Sequence, residues 1–113
     1  MDIYEKRTGI ILRKLGVKGK YIGYSYILFG VKIIINDPLL LTYIYKGLYT
    51  EIAIHFNTTP CCVERNIRTV KSLIWESADI DLLKDIFGDI RKIPDNATFM
   101  DDLSIFVFKY RNE

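Results

Sequence analysis

The stretch LYTEIAIHFNTTPCCVERNIRTVKSLIW, Leu48 to Trp75, reads as two helices joined by a tight turn, and the rest of the chain reads as their support. Asn57, Thr58 and Thr59 carry short polar side chains that compete for backbone hydrogen bonds, so they favour a turn over a continued helix. Asn57 suits the positive φ that ends a first helix over Thr50 to Phe56. Thr59 before Pro60 is a helix start: the hydroxyl can accept an orphan N–H, and proline at the first helical position loses no bond it needed. Turned at about 100 degrees per residue, the helix from Pro60 to Ser77 gathers Val63, Ile67, Val70 and Ile74 into one apolar stripe. Cys61, Arg65, Arg68 and Ser72 fall opposite, with Glu64 flanking them. In the first helix, Ile52 and Phe56 are the expected packing residues and Ala53 leaves room for a close approach. This is the build of a helix-turn-helix, whose second helix enters the DNA major groove with its N-terminal residues near base edges.

The chain has 113 residues, half of them hydrophobic, which suits one domain with a sizeable core. The net charge of +2 is unevenly spread. Residues 1–34 carry seven basic and two acidic side chains, residues 35–75 four and three, and residues 76–113 five and nine. A weak net charge excludes a histone-like polybasic mode, while a basic N-terminal part is compatible with nucleic acid on one side. The two cysteines, Cys61 and Cys62, are adjacent. Neighbouring helical residues point about 100 degrees apart, which does not suit a disulfide, so a reducing cytoplasm is the simpler setting. The opening MDIYEKR is not a signal peptide, and the apolar run from Tyr21 to Val31 is too short to span a bilayer, so no membrane association is expected.

Around the central pair the helical period continues. Ile3, Ile10, Ile11 and Leu15 suggest a first helix ending near Gly16, and Tyr24, Leu28, Val31 and Ile35 suggest a second over Tyr21 to Asn36. Asp37 and Pro38 open a short helix with Leu40, Leu41 and Ile44, which Gly47 is expected to break. Asp79 caps a helix with Ile80, Leu83 and Phe87, stopped by Gly88. A loop over Asp89 to Asn96 leads to a last helix from about Ala97 to Arg111, with Phe99, Leu103, Phe106 and Tyr110 on one side. The expected fold class is all-α, an orthogonal bundle of six or seven helices containing the helix-turn-helix.

The segments IGYSYI, LYTEIAIHFNTT, VERNIR, Trp75 and DIDLLKDIFG carry a resemblance over nearly all of the chain. It resembles the C-terminal DNA-binding effector domain of the stage 0 sporulation response regulator, a sporulation transcription factor. The resemblance implies an all-helical domain that binds short boxes in double-stranded DNA, often as a tandem homodimer, and contacts RNA polymerase. Its base-reading residues fall on Glu64, Arg65 and Arg68. Arginine pairs with guanine O6 and N7 and glutamate accepts from cytosine N4, so the trio suits a mixed G and C core. Glu64 can instead hold Arg68 as an i, i+4 pair. Thr58, Thr59, Cys61, Lys71 and Lys46 are the candidate phosphate or turn contacts.

Other chemistries find little support. His55 is the single histidine, and two adjacent cysteines without a second pair match no zinc spacing, so neither a metal nor another cofactor is expected. Acidic pairs at Asp79, Asp81, Asp101 and Asp102 sit at helix beginnings, where they offset the dipole. An enzyme is not expected. The alternative of a different class is a protein-interaction module, an antagonist that pairs with a related regulator. No receiver domain lies within these residues, and Ile54, His55 and Cys62 stand where the family tends to carry cations. The apolar Ile27 to Phe29 segment would offer a partner surface. A LuxR-like domain shares the spacing of the helix pair but is usually shorter.

Overall fold

A computed structural model of the chain describes residues 1–111. Six α-helices follow one another, with no strand among the described residues. Helix α1, Ile3–Lys14, opens with a capping box: Asp2 accepts the Glu5 N–H at 2.8 Å and Glu5 accepts the Asp2 N–H at 3.3 Å. Its buried side is Thr8, Gly9, Ile11 and Leu12, continued by Leu15. Ile3 does not belong to it, being 53% exposed. It occupies the first helical position.

Helix α2, Ile22–Asn36, packs against α1 and against the later helices, and it buries Gly23, Tyr26, Ile27, Leu28, Gly30, Val31 and Ile34. A helix apolar nearly all round is one enclosed on several sides. The Ile27 to Phe29 segment is therefore core rather than partner surface: Ile27 and Leu28 are buried and Phe29 is half-buried.

After α2 the chain does not form the expected short α-helix. Asp37 caps a 3-10 turn over Pro38–Leu41 by accepting the Leu39 N–H, and a wide π-type turn over Tyr45–Tyr49 runs directly into α3, Thr50–Phe56. Gly47 thus lies inside this path instead of ending a helix. Its lack of a side chain serves close approach, since a Cβ there would stand 2.5 Å from the Leu40 carbonyl oxygen.

Helix α4, Pro60–Ser77, and α5, Ile80–Phe87, follow. Asp79 caps α5 through the Leu82 N–H at 3.0 Å, and Gly88, at φ 73, ends it. Leu83 and Ile86 face inward, whereas Ile80 is 61% exposed at the helix start. Helix α6, Asn96–Lys109, begins one residue earlier than expected and stops before Tyr110, with Asp95 accepting the Thr98 N–H at 2.8 Å. Phe99, Met100, Leu103 and Val107 are its buried stripe, while Phe106 and Tyr110 lie half-buried at the edge. Trp75, Phe87 and Phe99 join α4, α5 and α6, with ring centroids 4.9 Å apart for Trp75 and Phe87 and 5.3 Å for Phe87 and Phe99.

Two stability changes follow. Gly47→Ala forces the turn away from Leu40 and is expected to cost about 1 to 3 kcal/mol, read as a lower urea midpoint with the slope unchanged. The Thr98 N–H and hydroxyl hold the Asp95 carboxyl below its ordinary pKa. A depressed folded pKa means that the cap contributes fully above the unfolded value of about 3.9 and loses its contribution as pH falls through the folded value. Asp95→Ala is expected to cost about 1 kcal/mol at neutral pH, and the gap to the parent protein should close below about pH 4 in acid titrations followed by circular dichroism.

Candidate nucleic-acid interface

Two helix ends set the angle between α3 and α4. Asn57 takes the left-handed conformation at φ 55, and the Thr58 N–H reaches back to the Ala53 carbonyl at 2.9 Å, closing α3. Thr59 is extended, and its hydroxyl accepts the Cys62 N–H at 3.2 Å, with Pro60 at the first helical position. On α3, Ile52 and Ala53 are buried. Phe56 departs from its expected packing role. It is exposed on the rim, where its ring meets Tyr26 at 5.1 Å and Phe29 at 5.9 Å while His55 stacks on Phe29 at 3.9 Å.

Val63, Ile67, Val70 and Ile74 are all buried, and Cys61, Arg65, Arg68 and Ser72 are all exposed. The helix therefore turns the arginine face to solvent. α2 supports the opposite side at close range: a Cβ on Gly23 would overlap the Asn66 carbonyl of α4. The Asn66 amide also donates to the Cys62 carbonyl at 2.8 Å and lies 3.4 Å from its sulfur, while the Tyr26 hydroxyl is 3.8 Å from that sulfur. The Thr58 and Tyr26 hydroxyls hold the Cys62 thiol below the ordinary thiol pKa.

Glu64 is more constrained than its neighbours. Its carboxylate pairs with the Arg68 guanidinium at 3.3 Å, the i, i+4 geometry anticipated from spacing. The amide of Asn96 donates to the Glu64 carbonyl at 3.2 Å and to the Tyr49 hydroxyl at 3.0 Å, with the Glu64 carboxylate 3.5 Å away. Arg68 keeps 58% of its side chain exposed, so it is oriented without being hidden. Thr58 is half-buried and Thr59 and Cys61 exposed at the start of α4; Lys46 is exposed on the turn over Tyr45–Tyr49, which packs on that helix. A recess of about 370 Å³ lined by Tyr45, Tyr49, Glu64, Arg68 and Asn96 lies between that turn and α4.

Lys71 must be reassigned. It is only 7% exposed, and its ammonium donates to the Pro94 carbonyl at 2.8 Å. Burial pushes its pKa down, opposed by the carboxylates of Asp95 and Glu64. Such a group holds the segment before α6 and is not available to a phosphate. Trp75 does the same one turn later, donating from its indole N–H to the Ile90 carbonyl at 3.3 Å. Asn96, which ties α6 to Glu64, had no sequence signal beyond being a polar residue at the end of the loop before the last helix. Its role comes from packing between segments distant in sequence.

The model of one protein family, described as sporulation initiation factor Spo0A C terminal, matches residues 9–105. The chain belongs to this family. The Spo0A C-terminal match covers α2 to α5 whole and parts of α1 and α6, and it agrees with the all-helical architecture. The family is a transcription-factor domain and not an enzyme family. Among the described residues no helix is long and apolar enough to cross a membrane.

Lys71→Ala removes the donor to Pro94 and leaves a carbonyl unpaired. A loss of about 1 to 3 kcal/mol in folding stability is expected, with little change in whatever α4 binds once the variant is measured fully folded. Urea denaturation beside a binding titration separates the two effects.

Proposed function

We propose that the domain binds double-stranded DNA in a sequence-specific manner, with α4 lying in the major groove as the recognition helix of a transcriptional regulator. The observation that carries this reading is the outward arginine face of α4, with Arg65 exposed and Arg68 aimed by Glu64, on a proline-started helix after a capped turn. Arg65 and Arg68 have the chemistry to take guanine bidentately; Glu64 either accepts from cytosine or acts through Arg68. Thr58, Thr59, Cys61 and Lys46 surround the start of the helix as candidates for phosphate and turn contacts. The same reading has the domain act in the cytoplasm, pair with a second copy on tandem boxes and contact RNA polymerase.

A second reading has its own observation. Ile54 is 71% exposed beside the rim cluster of Phe29, His55 and Phe56, which is an unusual apolar patch for a surface meant to meet phosphates. It favours pairing with a related regulator, and a gel shift run beside a pull-down distinguishes the two.

Fluorescence anisotropy on duplexes enriched from a random library tests the first reading. Arg65→Ala and Arg68→Ala should each cost about 1 to 3 kcal/mol on the selected site and relax the preference at one base pair. Equal affinity of the parent protein for the selected and scrambled duplexes, unchanged by both substitutions, removes the reading.

A further inference from the structure

We propose that Asn96, at the first turn of α6, is a positioning residue for base recognition: its amide holds the Glu64 carboxylate that aims Arg68. The inference rests on the reading of α4 as a recognition helix. Asn96 is buried, with 8% of the residue exposed. Its amide nitrogen donates to the Tyr49 hydroxyl at 3.0 Å, and the same nitrogen lies 3.2 Å from the Glu64 carbonyl and 3.5 Å from Glu64 Oε2. That carboxylate oxygen is also the one that meets Arg68 Nε, at 3.3 Å. One oxygen therefore links a buried amide on α6 to an exposed guanidinium on α4.

The amide can stand only one way round. Turned over, its oxygen would face the Glu64 carbonyl and carboxylate, which offer lone pairs and no proton. The hydrogens of the nitrogen are thus committed toward Tyr49 and Glu64, while Asn96 Oδ1, itself buried, meets no donor among the described residues. Its orientation is held by the donating end alone. Tyr49 is 2% exposed and its ring stands edge-on to Tyr45 at 4.9 Å, so the hydroxyl that receives the amide is fixed as well.

An exposed glutamate and arginine four residues apart form a loose pair, since two long side chains give up rotamer freedom for little gain. Glu64 differs. Its side chain is 24% exposed, against 58% for Arg68, and a buried donor meets it from the α6 side, so fewer rotamers are open to it. Because Nε is the atom taken up, both Nη groups of Arg68 remain for a two-pronged bond to guanine O6 and N7. Whether Glu64 meets cytosine itself or works through Arg68, its carboxylate is placed by Asn96. No hydrogen bond or ion pair among the described residues joins Arg65 to these groups, although Arg65 stands exposed on the same helix. Asn96 therefore bears on one arginine and not on the other.

The test uses the full chain and anisotropy titrations on the selected duplex and on its single-base-pair variants, with circular dichroism and urea denaturation to check folding. Lost preference in Arg65→Ala and in Arg68→Ala marks the base pair that each arginine reads. Asn96→Ala should lower discrimination at the Arg68 base pair by on the order of threefold to tenfold and leave it unchanged at the Arg65 base pair. Asn96→Asp, which fills the same space with no N–H to give, repeats the measurement should the alanine variant not fold. Glu64→Gln should reproduce the loss at the Arg68 base pair, and adding Asn96→Ala to it should deepen that loss little. Lys71→Ala, another anchor of α4, should lower stability and leave both preferences intact. Full discrimination at the Arg68 base pair in a folded Asn96 variant, or in Glu64→Gln, overturns the proposal. An equal loss at both base pairs also overturns it, because Asn96 would then only steady the helix. Each of these results leaves the reading of α4 standing while Arg68→Ala itself relaxes a preference. A parent protein that does not distinguish the selected duplex from its scrambled counterpart removes the reading and this proposal with it.

Discussion

The rotational setting of α4 about its own axis is the constraint on which the rest of the structure depends. Val63, Ile67, Val70 and Ile74 are buried together, and each is worth about 1.5 to 3 kcal/mol relative to exposure. Rolling the helix by one residue would expose part of that stripe and carry an arginine toward the interior, where an unpaired charge costs several kcal/mol. Both terms have the same sign, so one face is committed inward and the other outward. The outward face needs no interaction of its own to be displayed.

Fixing rotation does not fix position, and a second set of bonds does that. Thr59 and Asn57 set where α4 begins and how it leaves α3. Gly23 lets α2 approach to backbone contact near Asn66. On the other side Lys71 and Trp75 donate to the carbonyls of Pro94 and Ile90, and Asn96 donates to Glu64 and Tyr49. These are buried or half-buried polar bonds, whose loss costs more than their formation gains, because the partner is left desolvated. Long-range polar contacts of this kind hold α4 more firmly than its apolar stripe alone, since apolar packing is not directional.

The apolar period, the caps and the turn between α3 and α4 were legible in the sequence because each is local: Thr59, Pro60, Asp79 and Gly88 act within one turn of themselves. What was not legible depends on neighbours brought from elsewhere. Lys71 reads as a surface cation until α6 and the segment before it cover the helix. Gly47 reads as a helix breaker, whereas its role is set by the Leu40 backbone pressing against it. Ile3 and Ile80 fit the apolar period yet stand exposed at helix starts, and Phe56 is drawn to an aromatic rim instead of the core. The Ile27 to Phe29 segment has the opposite fate, because α2 is enclosed from more sides than a single stripe suggests. Of the candidate site, the arginine face was readable from spacing and family pattern; the carbonyl anchors and Asn96 were not.

Charge distribution gives the last step. With a net charge of +2, the protein as a whole exerts little attraction on a polyanion, and at physiological salt fields fade over about 8 Å. What matters is therefore which cations lie within that distance of the phosphates, not how many the chain contains. Lys14 is engaged by Tyr110, Arg91 by Asp89, Lys71 by Pro94 and Lys32 by Glu5 at 3.9 Å. Arg65 on α4 and Lys46 on the turn that packs against α4 remain among the exposed cations. Four acidic residues of the C-terminal part, Asp81, Asp85, Asp101 and Asp102, lie on α5 and α6. Under the proposed DNA-binding reading, a duplex approaching α5 and α6 would meet these carboxylates, so the charges that lower the net total also disfavour that side.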